Sequence, residues 1–455
     1  MDRVDIYIQI VMEQPILLAP IIAFIFAYAL VPSHRRLFVS LLILVPWLTV
    51  ARSPGMGTLS SAAKLTSGIA YLLIAFAAWT HPGPKRKIPI LVWLFVIVAL
   101  VAIPFVITTQ ERTLALILRM QWLTVTVAGV LTAQTIVRYS DLTRITQALT
   151  WGCVFALIIP FSSLVMFPAE SFLRGMGRFQ PWGANSNQIG MLFALAVPLF
   201  AYAAMTWRSS LKSFFLTALV LTIGMALLTA SRQTMLAITL VMLPVVFTLT
   251  KRPILTMFAL ALGMIGISVM LTLGEAANFE RFSSLQTGRL DIWSTYISEV
   301  FPRRPFTGLL LTKDESYFKA IYEVGMHPHN AWFYLMYIGG VSIAGPMLYL
   351  TLYSILAGYK VWKVRKYLPG EPLYYSILLM LLAAMYIQGI FNQVVYWPTY
   401  SWSFLHVVIA SIFICMYKEI KNGSMEQVLI DDTDRDSYDE FVDEEELFQD
   451  YSQPT

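Results

Sequence analysis

The sequence predicts an all-α polytopic membrane protein of about 12–13 transmembrane helices. Three observations predict it. First, 57% of the 455 residues are hydrophobic and only 13% are charged, against roughly 25% charged in soluble domains. The mean hydropathy is +0.66. Second, apolar runs long enough to cross a bilayer recur along the whole chain. Third, basic clusters fall in every second connection between those runs, as the positive-inside rule requires.

The candidate spans run 15–31, 37–50, 58–79, 88–107, 114–137, 149–167, 188–206, 212–229, 233–249, 254–273, 331–357, 374–391 and 398–417. The first follows mixed charges (Asp2, Arg3, Asp5, Glu13) and leads at once into the second. That pattern reads as a first span rather than a cleavable signal. The basic clusters are Arg35/Arg36, Lys85–Lys87, Arg138/Arg144, Arg208/Lys212, Lys251/Arg252, Lys360–Lys366 and Lys418/Lys421. Those connections are therefore expected to be cytoplasmic, with the N-terminus outside. The opposite connections are 51–57, 108–113, 168–187, 230–232, 274–330 and 392–397. The loop 274–330 is far longer than the others, and loops of that length in compact proteins are usually functional. Within it, Leu290, Ile292, Trp293, Ile297 and Val300 recur at helical spacing, predicting a helix over 288–300 that Pro302 and Pro305 end. A second short helix is expected over 314–325.

From Ser424 onward the chain carries 12 acids and one arginine. The remaining 31 basic and 15 acidic residues give the body a charge of +16 and the whole chain +5. The reading is a domain 1–423 that carries the spans, followed by a disordered acidic tail, 424–455. The "DTD" and "DRD" triplets in that tail mimic a metal-binding pattern, but nothing around them suggests a fold. Cys153 and Cys415 both lie in apolar runs, so neither a disulfide framework nor a cysteine metal site is expected.

Four outward elements carry polar groups that a purely lipid-facing protein does not need. "RGMGRFQPWGANSNQIG" supplies Arg174, Arg178, Asn185 and Asn187. "TASRQT" places Arg232 at the head of a span, on the side where positive charge is disfavoured. The long loop supplies Arg281 and Arg289, and "GMHPHNAWFYLMYIGG" supplies His327, His329 and Asn330. Arginines converging in one outward cavity suit a diphosphate, because each guanidinium fork matches phosphate oxygens bidentately. A histidine beside them is able to accept a hydroxyl proton near neutral pH.

Each group has a plainer reading. Arg174 and Arg178 are equally well loop charges, and Asn185 or Asn187 a helix cap. Arg232 could snorkel, Arg289 could pair with Asp291, and Asn330 could cap the helix from Ala331. A metal pair at His-x-His is disfavoured because no Asp, Glu or Cys completes a site nearby. Pro328 biases His327 toward extended backbone, which leaves His329 at the helix entrance as the better catalytic candidate. Arg119, mid-span in "LILRMQW", is costly in lipid and is expected to point into the bundle. No G-x-x-x-x-G-K-[ST] loop is present, so ATP hydrolysis is not expected. No acid lies deep in a span, which argues against a proton-coupled pump.

"TGRLDIWSTYISEVFPRRPFTGLLL" (287–311) followed by "HPHNAWFYLMYIGGVSIAGPMLYL" (327–350) resembles the signature of the O-antigen ligase and O-antigen polymerase-like family. "RFQPWGANSNQIGMLFALAVPL" and "LLTASRQTMLAITL" resemble that family's earlier elements, so the resemblance spans about 174–350. "PWGANSN" replaces the commoner Asn-Pro-Asn, and "TGLLL" lacks a second glycine.

The resemblance implies a GT-C-like bundle with a long helical periplasmic loop, in a multi-pass protein of the bacterial inner membrane whose C-terminus is cytoplasmic. It implies a polysaccharide polymerase that needs no metal, ATP or other cofactor. Glycan would pass from an undecaprenyl-diphosphate-linked oligosaccharide to the hydroxyl of a carrier-linked acceptor on the periplasmic face. Carried over by position, His329 would be the general base or would position the acceptor hydroxyl, and Arg289 and Arg232 would hold and neutralise the diphosphate. Arg174, Arg178, Asn185, Asn187, His327 and Asn330 would bind substrate. A ligase acting on lipid A-core is the alternative, and a lipid-linked oligosaccharide flippase is the alternative of another class. The expected partners are donor and acceptor glycans, with a chain-length regulator and a flippase, and no nucleic acid.

Overall fold

A computed structural model describes residues 25, 28–108, 112–173, 177–207, 209–249, 289–303, 305–308, 330–392 and 400–422. The helices are α1 (Ser33–Ala51), α2 (Thr58–Trp79), α3 (Ile90–Val101), α4 (Arg112–Thr135), α5 (Tyr139–Met166), α6 (Ser186–Thr206), α7 (Ser209–Leu228) and α8 (Arg232–Leu249). They continue with the short α9 (Arg289–Thr295), then α10 (Ala331–Val364), α11 (Pro372–Phe391) and α12 (Ser401–Lys421). A two-residue hairpin, β1 (Phe172–Leu173) with β2 (Arg178–Phe179), is the one sheet among the described residues.

Nine of these helices are long and apolar enough to cross a membrane, and two shorter apolar ones accompany them among the described residues. The protein is an all-α, multi-pass membrane protein. Eleven of the thirteen candidate spans fall on these helices. The spans 15–31 (but for a few residues) and 254–273, the helix expected over 314–325 and the acidic tail lie outside the described residues.

Local chemistry explains the boundaries. Asp141 Oδ2 accepts from the amides of Val137 (3.1 Å) and Arg138 (2.8 Å), which starts α5 with a capping box. The helix thus starts at Tyr139, about ten residues before the apolar run at 149, so hydropathy alone places the start too late. Pro372 opens α11, where its missing N–H costs nothing. Cys153 and Cys415 are buried and unbonded to each other.

Neighbouring helices follow a closed order, α10–α11–α8–α6–α5–α1–α2–α4–α3 and back to α10. The helix α12 packs inside this ring against α10, α4 and α11, and 78% of its span window is buried. Another 83% is buried in α6, over whose outer side α7 lies with only 22%. Some polar groups inside the bundle are satisfied by one another: Tyr386 Oη is bonded to His406 Nε2 and Ser354 Oγ, each at 2.8 Å.

The two ends of the bundle differ. At the foot, Arg86 pairs with Glu419 at 3.4 Å, and Tyr139 meets Tyr202 at 3.3 Å near Glu371. At the head, where α2, α4, α6, α8, α10 and α12 begin, the turn Pro54–Met56 packs on the turn Pro181–Gly183. The candidate residues gather at this end.

The helix α10 is broken at Gly340, whose φ of 58° and ψ of −155° interrupt the helix. Segment 305–308 fills the break. The Val341 amide donates to Pro305 O at 2.7 Å, and Ser342 Oγ donates to Phe306 O at 2.6 Å. A Cβ on Gly340 would lie 2.3 Å from Pro305 O, so only glycine fits there.

Candidate functional site

Arg178 anchors the site. The hairpin carries it inward until it is 8% exposed. Its Nε donates to Thr229 O at 3.1 Å and its Nη2 to Asn187 Oδ1 at 3.0 Å. The same Asn187 oxygen accepts from Ser231 Oγ at 2.9 Å. One side-chain carbonyl therefore ties β2, the start of α6 and the turn before α8 together.

Asn185 has the other role weighed for this pair. It caps α6, its Oδ1 accepting from the Asn187 amide at 2.9 Å. The glycine at 190 lets α6 approach α8, because a Cβ there would come within 1.9 Å of Thr234 Oγ1.

Arg232 is the first residue of α8 and half-buried. The turn that presents it contains Ala230 at φ 46°, and the neighbouring turn contains Trp182 at φ 50°. Left-handed backbone at a non-glycine residue costs on the order of 1–3 kcal/mol and persists only where the surroundings enforce it. Here they do. Trp182 is held by its amide to Ser163 Oγ (2.9 Å) and by its indole N–H to Ile159 O (3.1 Å), while Ala230 adjoins the Arg178 bond to Thr229.

Below Arg232 lies a neutral polar group. Gln388 of α11 donates to Gln233 O at 3.3 Å. The side-chain amide of Gln233, Gln388 Oε1, Thr234 Oγ1 and Ser186 Oγ are buried with no hydrogen-bond partner among the described residues.

Asn330 opens α10. It is 5% exposed, and its Oδ1 accepts from the amides of Trp332 (2.8 Å) and Phe333 (3.1 Å). It is thus the cap that the plainer reading named. Arg289 is the first residue of α9. Ile292 and Tyr296 pack with Trp293 on Phe333 and Tyr337 of α10. Trp293 and Tyr296 meet Phe333 in α10's first turn, Tyr296 also meets Tyr337, and Pro305 meets Val341 further down. The segment therefore runs parallel to α10, and the Arg289 backbone falls near the level of Asn330. Leu290 and Ile297, expected on the packed face, are instead 75% and 57% exposed. Ile292 and Tyr296, four residues apart on one face, are buried instead, and the helix continues as a wider π-type turn over Tyr296–Val300. Arg174, His327 and His329 lie outside the described residues, as does Arg281.

Arg119 points into the bundle as expected. It is 5% exposed and adjoins Tyr334 in the first turn of α10. Two cations at the head went unremarked in the sequence. Arg52 ends α1 with its guanidinium 3.8 Å from the Tyr400 ring centroid. Burial holds it below its ordinary arginine pKa, opposed by Tyr400 and Tyr71. Lys64 on α2 lies within the electrostatic reach of Arg52. Nothing in a span-and-loop reading distinguishes Arg52 from an ordinary loop charge.

Five cations (Arg52, Lys64, Arg119, Arg178 and Arg232) thus stand at the head, and Arg289 begins α9 there. The only acid among the described head side chains is Glu170, which is exposed. In a low-dielectric bundle such an excess favours an anion strongly.

These features define a class: a helical membrane protein with a cation-rich polar layer at one end of its bundle. No family model and no curated protein matches the chain.

Proposed function

We propose that the protein is an integral-membrane glycosyltransferase of the O-antigen polymerase type with a GT-C-like bundle. It moves glycan from an undecaprenyl-diphosphate-linked donor to a carrier-linked acceptor hydroxyl on the periplasmic face of the bacterial inner membrane. The observation that supports this most is the Arg178–Asn187–Ser231 knot beside Arg232, in a layer of cations whose described side chains include one acid, exposed. The knot holds one guanidinium rigidly and leaves the neighbouring Arg232 at a helix start, where backbone N–H groups also favour anions.

The chemistry needs little more. A lipid diphosphate is an activated leaving group, so catalysis reduces to positioning, charge stabilisation and a base. Arg232 and Arg289 would neutralise the departing diphosphate, and Arg178 would order the wall behind them. His329, one residue before the Asn330 cap, would take the proton of the attacking hydroxyl. A single displacement inverts the anomeric centre. The Gln233 side-chain amide and Gln388 Oε1, without partners among the described residues, suit sugar hydroxyls, which both donate and accept.

The test is the glycan profile of a strain lacking the gene. Glycans stalled at a single carrier-linked repeat support the polymerase. Full-length chains left unattached to lipid A-core point to the ligase alternative. An unchanged profile rejects both.

A further inference from the structure

We propose a second anion subsite at the head, formed by Arg52, Lys64 and Arg119, that holds the phosphate or diphosphate group of the acceptor lipid. This rests on the transferase reading, in which two phosphate-bearing lipids meet in one cavity.

Arg119 carries the argument furthest. It lies seven residues into α4, is 5% exposed, and its Nε has no hydrogen-bond partner among the described residues. Its described neighbour is a tyrosine, Tyr334, not an acid. An uncompensated guanidinium inside a bundle costs several kcal/mol, so its charge is expected to meet a counter-charge when the protein works. Arg52 resembles it in part: its Nε and Nη2 are buried without a partner among the described residues, while the guanidinium lies over the Tyr400 ring and bonds to that side chain. Lys64 adds like charge beside Arg52 instead of neutralising it. Arg52 and Lys64 oppose one another, and Arg119 stands on α4, which packs on the α2 that carries Lys64, so the three together point to a multivalent anion.

The ring order separates this group from the first. Arg178 and Arg232 belong to the α6–α8 side, whereas Arg52, Lys64 and Arg119 belong to α1, α2 and α4. Tyr400, just before α12, lies under Arg52, and α12 packs on α4. Tyr334 places Arg119 one turn from Asn330. A lipid phosphate held here sits among α1, α2 and α4, with Arg119 beside Tyr334 of the helix that His329 precedes.

The experiment is calorimetric titration of the full-length protein in phosphatidylcholine nanodiscs with farnesyl diphosphate and, separately, with inorganic diphosphate. The expected result is two equivalents of farnesyl diphosphate in the wild type. Arg52→Gln and Arg119→Gln each weaken one of them roughly ten- to a hundredfold, as expected for a lost charged hydrogen bond. Arg232→Gln weakens the other, and Arg119→Lys restores much of what Arg119→Gln loses. Equal affinity for inorganic diphosphate at the second site supports the site and assigns it to a free anion.

A single equivalent in the wild type overturns the proposal. So does unchanged binding in Arg52→Gln and Arg119→Gln, or an Arg119→Gln defect that weakens both equivalents together with thermal stability and is not relieved by lysine. The two readings fail separately. Two equivalents without any glycan transfer leave the subsite standing and remove the transferase. Transfer with an acceptor KM unaffected by Arg52→Gln does the reverse.

Discussion

Replacing Asn187 separates the scaffold of the site from its charge. Its Oδ1 accepts two hydrogen bonds, at 3.0 Å from Arg178 Nη2 and at 2.9 Å from Ser231 Oγ. A bond to a charged donor is worth about 1.5–3 kcal/mol and a neutral one about 1 kcal/mol. Asn187→Ala therefore removes on the order of 3 kcal/mol and strands a buried guanidinium N–H, so its melting temperature falls by several degrees. Asn187→Asp keeps an acceptor in the same place, and a carboxylate about 3 Å from Arg178 gains a few kcal/mol of attraction at an effective dielectric near 20. Its melting temperature stays near that of the wild type. The new carboxylate, however, competes with any anion for the positive end of the site, so diphosphate affinity and turnover drop at least tenfold. The assay is a thermal melt in nanodiscs run alongside farnesyl diphosphate titration. An Asn187→Asp protein that melts normally and binds diphosphate as tightly as the wild type refutes the role given to this cation layer.

Three further outcomes are expected. His329→Ala and Arg289→Ala each abolish polymer while the protein remains in the membrane, which immunoblotting and glycan gels check together; near-normal polymer from either removes that residue from the site. Removing residues 424–455 leaves transfer intact in a purified assay, and loss of activity would give the acidic tail a direct part. Gly340→Ala drives a Cβ to 2.3 Å from Pro305 O, so it displaces segment 305–308 and lowers the melting temperature, with an overpacking cost of roughly 1–3 kcal/mol; a wild-type melt would show that the break in α10 is not held by this contact.

The fold was largely legible because one force dominates it. Apolar length and basic alternation locate eleven helices, since a membrane leaves the backbone no option but internal hydrogen bonding. What hydropathy misses is where polar residues extend a helix beyond its apolar run, as the Asp141 cap does for α5 and the Lys360–Val364 turn does for α10. The site was legible in part. Asn-rich and Ser-Arg segments mark where α6 and α8 begin, and the structure joins them through Arg178. Which asparagine caps and which bridges depends on the hairpin's placement, which no local pattern encodes. Gln233 and Gln388 sit in apolar surroundings as isolated neutral residues, and Arg52 sits at a helix end. Their significance comes from partners 155 residues apart in one case and from the ring of Tyr400 in the other. Leu290 and Ile297 show the converse: a helical period admits more than one apolar face, and it is Ile292 and Tyr296 that pack on α10.

The measurement that bears most directly on the account is glycan transfer by the purified protein in detergent, with a lipid-diphosphate-linked oligosaccharide as the only donor and no sealed compartment. The account predicts new glycosidic linkages of inverted anomeric configuration by NMR, lost in Arg232→Ala. Absence of any linkage from protein that still binds the donor would contradict it and leave a carrier that moves lipid-linked glycan without joining it.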